Sequence, residues 1–170
     1  MRWRTSPIWC APSPTASASA SWRSTTPCTA TMISPAHLRQ CVLGRHARAV
    51  ERAHAHGKPV MLHACGNVGE VIEDLIATGI HAKHCFEDII QPVAEFKRPC
   101  GDRLAAIGGI DTDVISRGSD AQARAYTRRV IEQCAPGAGW ALGTGNLVAS
   151  YILVANHLAM LDEGRKWGVY

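Results

Sequence analysis

The stretch Val60-Met61-Leu62-His63-Ala64-Cys65-Gly66-Asn67 decides how the rest of the chain is read. A short apolar run ends in a histidine, a cysteine follows two residues later, and the run breaks at a glycine. Successive side chains of a strand alternate between faces, so His63 and Cys65 project from the same side. An imidazole beside a thiol makes either a soft metal site or a nucleophile–base pair, and Gly66 allows the tight turn that exposes them. His63 and Cys65 are therefore candidate metal ligands. The plainer alternative is a hydrogen-bonded strand-end histidine next to a small buried cysteine.

Working outward, the same strand-then-helix rhythm repeats. Upstream, Ser34-Pro35 reads as an N-cap followed by proline at the first helical position, opening a helix that runs to Gly57 with Leu38, Val42 and Val50 on its apolar side. Lys58-Pro59 leads into a strand over 60–63. Asn67 is placed to cap a helix over 68–78, whose apolar residues are Val68, Val71, Ile72, Leu75 and Ile76 and which Gly79 stops. A strand over 80–85, a helix near 88–98, a turn at Gly101-Asp102 and a strand over 103–108 follow. Ser119 caps a helix over 119–134, Pro136-Gly137 turns into a strand over 139–142, and a helix over 151–166 completes the pattern. Strict alternation with short links predicts an α/β fold with a parallel sheet and right-handed crossovers, about four strands each followed by a helix. Such a sheet stands alone as an open sheet or forms about half of a (β/α)8 TIM barrel, which takes about 250 residues.

The 170 residues are enough for one domain with its own core, and 46% hydrophobic with 19% charged residues is a globular composition. The formal charge of +4 is uneven: residues 1–50 carry +6, from six arginines and no acid or lysine, and residues 51–170 carry −2. Basicity confined to one end is not the footprint of a nucleic-acid-binding face. Seven scattered cysteines and no apolar signal core point to reduced thiols and a cytoplasmic location, and no apolar run is long enough to span a membrane. Residues 1–31 are rich in Ser, Thr, Ala, Pro and Arg without helical or strand period. They read as a disordered or non-native tail, the latter including a segment translated out of frame, in preference to a transit peptide, whose amphipathic helix Pro7, Pro12, Pro14 and Pro27 would interrupt. Residues 32–170 form the folded unit.

Polar residues gather at the C-terminal end of every strand: His63, Cys65 and Asn67; His84, Glu87 and Asp88; Gly108-Gly109-Ile110-Asp111; and Gly143-Thr144-Gly145-Asn146. Parallel α/β proteins build their sites at this edge from several strand-end loops. Glu87 is a candidate third metal ligand beside His63 and Cys65. Asp111, after two glycines, is placed to accept hydrogen bonds from a substrate or to cap the next helix. Thr144 and its neighbours offer backbone N–H groups to an anion without the full phosphate-loop pattern. Cys41, Cys100 and Cys134 have no histidine near them in sequence and read as inert.

In the order and spacing of Gly57-Lys58-Pro59-Val60 through Asn67, Asp74 to Ile80, Gly101-Asp102-Arg103, Gly108-Gly109-Ile110-Asp111, Leu142-Gly143-Thr144-Gly145-Asn146, Asn156 and Gly168-Val169-Tyr170, the chain resembles the C-terminal half of the uroporphyrinogen decarboxylase superfamily. The resemblance covers about residues 32–170 and implies a TIM barrel of roughly twice this length, hence a truncated or frame-disrupted form and a weak or inactive isolated chain. It implies two chemistries. The decarboxylases act on the acetate side chains of a tetrapyrrole without a cofactor, using an aspartate in the barrel half absent here and a histidine in the last strand-end loop, where this chain has Thr144. The cobalamin-dependent methyltransferases hold zinc with a His-x-Cys pair, matching His63 and Cys65, and a later cysteine in that same last loop. In that branch zinc binds and deprotonates a thiol that accepts the methyl group. Thr144 leaves that second thiolate, the third ligand, missing, with Glu87 as substitute. On the resemblance, Asp111 and Glu87 are the catalytic candidates and Asn67, Asn146 and Thr144 the substrate-binding ones. The implied partners are a tetrapyrrole or thiol substrate, a corrinoid protein and a second copy in a homodimer, with no nucleic acid and no membrane.

Overall fold

The computed structural model describes residues 20–23 and 33–168. Among these residues five strands form one sheet in sequence order: β1 (Ala20–Arg23), β2 (Val60–His63), β3 (Ala82–His84), β4 (Ala105–Ile107) and β5 (Trp140–Ala141), each parallel to the next. The last four are the strands expected from sequence, β2 with the expected bounds and β3, β4 and β5 trimmed at their ends. β1 has no counterpart among them. It falls inside the segment expected to be a tail, and it pairs Arg23 with His63 at the sheet edge. The remainder of residues 1–31, and Val169 and Tyr170 at the other end, lie outside the described residues.

Helical chain follows β2, β3, β4 and β5, as the alternation requires. The helix expected from Pro35 to Gly57 is three consecutive segments: α1 (Pro35–His37), a π-helical stretch (Leu38–Leu43) and α2 (Gly44–Ala55). Ser34 caps it as expected, its Oγ accepting from the His37 N–H at 3.3 Å with Pro35 at the first position. After β2 come a 3-10 turn (Gly69–Val71) and α3 (Ile72–Ala77). Asn67 does not cap a helix beginning at 68: Val68 occupies the N-cap position of the 3-10 turn, and the Asn67 Oδ1 instead closes a tight turn on Gly69 N at 2.8 Å. α4 (Val93–Cys100) starts five residues later than expected, because Pro92 holds an extended backbone at its N-cap. α6 (Asp120–Cys134) has a full capping box between Ser119 and Gln122. α7 (Val154–Trp167) closes the order. A short helix unforeseen in the sequence, α5 (Thr112–Arg117), sits between β4 and α6.

The core is built from the strand faces turned toward the helices. Val60 and Leu62 are buried where Met61 and His63 are only half-buried, so β2 shows the expected alternation. Ala106, Ile110 and Ile115 have no exposed surface, and Ala123, Val130, Ile131 and Cys134 line the inner side of α6. α6 and α7 are also joined by charge. Glu163 on α7, buried, accepts from Arg124 at 3.2 Å and from Arg128 at 3.0 Å, both on α6. Among the described residues no helix is long and apolar enough to cross a membrane.

Candidate metal centre

The register of β2 against β3 sets His63 directly beside His84. Their rings lie 4.8 Å apart between centroids, with Nδ1 to Nδ1 at 2.7 Å. The ladder runs one residue beyond the strands, through Ala64 N to His84 O at 2.7 Å. That brings Cys65 and Cys85, just beyond the ends of the two strands, to the same sheet edge. The Cys65 Sγ lies 3.5 Å from His63 Nε2, and the Cys85 Sγ donates toward Cys65 Sγ at 3.7 Å. His63, Cys65 and Cys85 thus offer one nitrogen and two sulfurs, all within 4.8 Å of one another.

This donor set fits a catalytic zinc site, which takes three protein ligands and keeps a fourth position open; Cys2His is one of its forms. Tetrahedral geometry with zinc–sulfur bonds of about 2.3 Å and zinc–nitrogen bonds of about 2.05 Å separates two sulfurs by about 3.8 Å, and sulfur from nitrogen by about 3.6 Å. The observed 3.7 and 3.5 Å therefore match two edges of such a tetrahedron.

Glu87, expected as the third ligand, does not join this group. Its Oε1 accepts from Asn146 Nδ2 at 2.7 Å, and Cys85 stands in the third place instead. Burial, aided by the neighbouring Cys65, pushes the Cys85 thiol up to about 12. Between the cysteine and the glutamate, a small pocket opens that is lined by Gly66, Lys83, Cys85, Phe86, Glu87, Ile90 and Gln91. Lys83 is only 2% exposed. Its ammonium donates to Cys85 O at 2.6 Å and sits 4.0 Å over the Phe86 ring, and burial lowers it to about 8.

The other strand-end residues are tied together in two further clusters. The Thr144 hydroxyl donates to Asn146 O at 2.6 Å, and Leu147 N donates to Asn146 Oδ1 at 2.8 Å, so the Thr144–Asn146 loop is fixed against Glu87. Gly145 is clasped between two neighbouring strand-end segments: its N–H donates to Ile110 O at 2.6 Å and its carbonyl accepts from Phe86 N at 2.8 Å. Asp111 caps α5 through Oδ1, which accepts from Asp113 N at 2.7 Å, and its Oδ2 accepts from Asp88 N at 2.7 Å. The Tyr126 hydroxyl bridges, donating to Asp88 Oδ2 at 2.7 Å and accepting from Asp111 N at 3.3 Å. Burial holds the Asp88 carboxyl above the usual range and, with Asp88 beside it, the Tyr126 phenol well above its own. Asn67 lies exposed on the loop after β2, in contact with Gly69.

Sequence reasoning passed over Cys85, Lys83 and Tyr126. The signal for Cys85 was present, the histidine–cysteine pair His84-Cys85 at the end of β3. Strict alternation sends adjacent residues to opposite faces, yet here the strand ends at His84, and His84 and Cys85 both reach the His63–Cys65 pair.

A family model described as uroporphyrinogen decarboxylase (URO-D) matches residues 18–167. No curated protein matches the chain. Among solved structures, the chain is similar to a methyltransferase from Methanosarcina mazei, with a TM-score of 0.68 and 20% identity, over 87% of this chain and 42% of that one. The likeness is one of fold, and this chain spans less than half the length of that structure, as a partial (β/α)8 barrel does.

Proposed function

The chain belongs to the uroporphyrinogen decarboxylase family, and from that premise we propose that it is a zinc-dependent, thiol-directed protein of the methyltransferase branch. The observation that carries this reading is Cys85. The resemblance left a zinc site one thiolate short, and the structure supplies a second sulfur, 3.7 Å from Cys65, from a different strand end. His63, Cys65 and Cys85 would hold the ion, and the pocket beside Cys85 would admit the fourth ligand.

Bound there, zinc would lower the pKa of a thiol and hold it as a thiolate nucleophile. The residues around it have separate tasks. Phe86 and Ile90 give the pocket apolar wall, and Glu87, steadied by Asn146, marks its polar side. Lys83 anchors the Cys85 backbone from beneath. Asp111 supports the pocket wall through Asp88 and α5 in place of direct chemistry, since both its oxygens are engaged with backbone N–H groups. The acceptor class is a small organic thiol, and the donor class is a methylated corrinoid carried on a partner protein.

The test is metal content of the purified full chain after dialysis against zinc and then against a weak chelator. One zinc per chain, lost in Cys85→Ser, is the expected result. A chain that retains no zinc, or one that decarboxylates uroporphyrinogen while metal-free, overturns it and leaves the decarboxylase or inactive-fragment reading.

A further inference from the structure

Five residues at the strand ends make a hydrogen-bonded series with a single direction. Its far end is the Thr144 carbonyl oxygen, 3.2 Å from His84 Nε2. A carbonyl only accepts, so the proton of that contact is on His84 Nε2. A neutral imidazole carries one N–H, which leaves His84 Nδ1 as an acceptor. The 2.7 Å contact between the two Nδ1 atoms then requires the proton to sit on His63 Nδ1. His63 Nε2 is left with its lone pair facing Cys65 Sγ at 3.5 Å, and Cys85 donates in turn toward Cys65. Each donor points from Cys85 toward Thr144.

We propose that His84 is a positioning residue for the metal centre: its bond to the Thr144 carbonyl fixes His63 in the tautomer, and the ring orientation, whose Nε2 binds the ion. The inference rests on the zinc reading above, and it adds a residue that neither binds the ion nor touches the substrate. The identity of the nitrogen that binds a metal is set by the hydrogen bond made by the other nitrogen of the ring. Here that bond is to a second histidine, itself oriented by the main chain of a distant loop. The two halves of the series behave differently on metal uptake. The thiol protons of Cys65 and Cys85 would leave to solvent if the sulfurs took up the ion, while the His63–His84–Thr144 half would keep its protons in place.

Two measurements on the full chain test this. In the first, nitrogen NMR of histidine-labelled, metal-free protein reads which nitrogen of His63 is protonated. Protonation at Nδ1 is expected, and protonation at Nε2 overturns the inference whatever the zinc result. In the second, zinc affinity is measured by chelator competition, and the ligand field by the visible spectrum of the cobalt-substituted protein. His84→Phe removes the acceptor and is expected to weaken zinc binding by about 10–100-fold, with a shifted cobalt spectrum. His84→Gln offers His63 an amide oxygen and Thr144 an amide N–H, and it is expected to recover most of that loss. Equal zinc affinity in wild type and His84→Phe overturns the inference. Failure of the wild type to bind zinc sinks the zinc reading instead, and the tautomer measurement still decides the role of His84.

Discussion

The sulfur atoms of Cys65 and Cys85 lie 3.7 Å apart although α3 and a strand separate them along the chain. Two thiols that close to each other and to His63 Nε2 should be masked together when an ion binds. Alkylation followed by peptide mass spectrometry is expected to show Cys65 reacting in the metal-free chain and protected by zinc. Cys41, which is exposed and outside the cluster, should react equally in both. Equal labelling of Cys65 with and without zinc contradicts the shared site.

The ion cluster between α6 and α7 gives a pH-dependent contribution whose sign follows from its geometry. Burial alone would raise the Glu163 carboxyl, but the Arg128 and Arg124 guanidinium groups together hold it below its ordinary 4.5. A depressed carboxyl stabilises the fold above its unfolded-state value, and that stabilisation is lost as pH falls through the folded-state value. Glu163→Gln should therefore cost about 2 kcal/mol at pH 7, toward the low side for a buried pair because both arginines are partly exposed. The gap to wild type should narrow steadily below pH 4.5. Denaturant unfolding at neutral and acid pH checks this, and a gap independent of pH would refute it.

Two glycines with different surroundings should respond very differently to a methyl group. A Cβ at Gly145 would collide with the Phe86 carbonyl oxygen and lie 3.3 Å from that of Ile110, so the clasped strand ends would have to part. Gly137 has a positive φ of 80° with nothing within 4 Å. Gly145→Ala should cost about 3 kcal/mol by overpacking, and Gly137→Ala about 1 kcal/mol by backbone strain alone. Thermal melts of the two variants separate the effects. A Gly145→Ala protein as stable as Gly137→Ala would show that the clasp does not form.

Glu87 and Asn146 give a fourth expectation, since their 2.7 Å bond is donated by the amide and accepted by the carboxylate. Glu87→Gln keeps an acceptor oxygen and should leave stability within a few tenths of a kcal/mol, whereas Asn146→Ala should cost about 1 kcal/mol and free the loop. Denaturant midpoints read both. If Glu87→Gln is as costly as Asn146→Ala, the glutamate charge matters more than the bond.

What could be read from the chain before folding, and what could not, divides along physical lines. β2 and α6 were legible because their cues are local: an apolar run broken at Gly66, and a serine cap at Ser119 that the capping box with Gln122 bears out. α5 escaped notice because its six residues, with Thr112, Asp113 and Ser116 among them, are weak helix formers, and its strongest cue, Asp111, also suited a substrate-facing role. β1 escaped because Ala20–Arg23 is only four residues long, too short for its alternation to stand out in a segment rich in Ser, Pro and Arg, and its strand pairing comes from β2. In the site, His63 and Cys65 share a face by simple periodicity. Cys85 joins them only through the inter-strand register and the end of β3 at His84, neither of which is written in spacing along one segment.

Among the described residues the order β1-β2-β3-β4-β5, each strand pairing only with its sequence neighbours, also has a kinetic meaning. Each closure among these strands joins segments one crossover apart, so pairing among them need not wait for β1 and β5 to meet. Assembly is then additive, each new strand docking on the one before. Amide protons of the central strands β2, β3 and β4, paired on both sides, should be the slowest to exchange, with protection falling away toward β1 and β5 as a gradient instead of a single cooperative step.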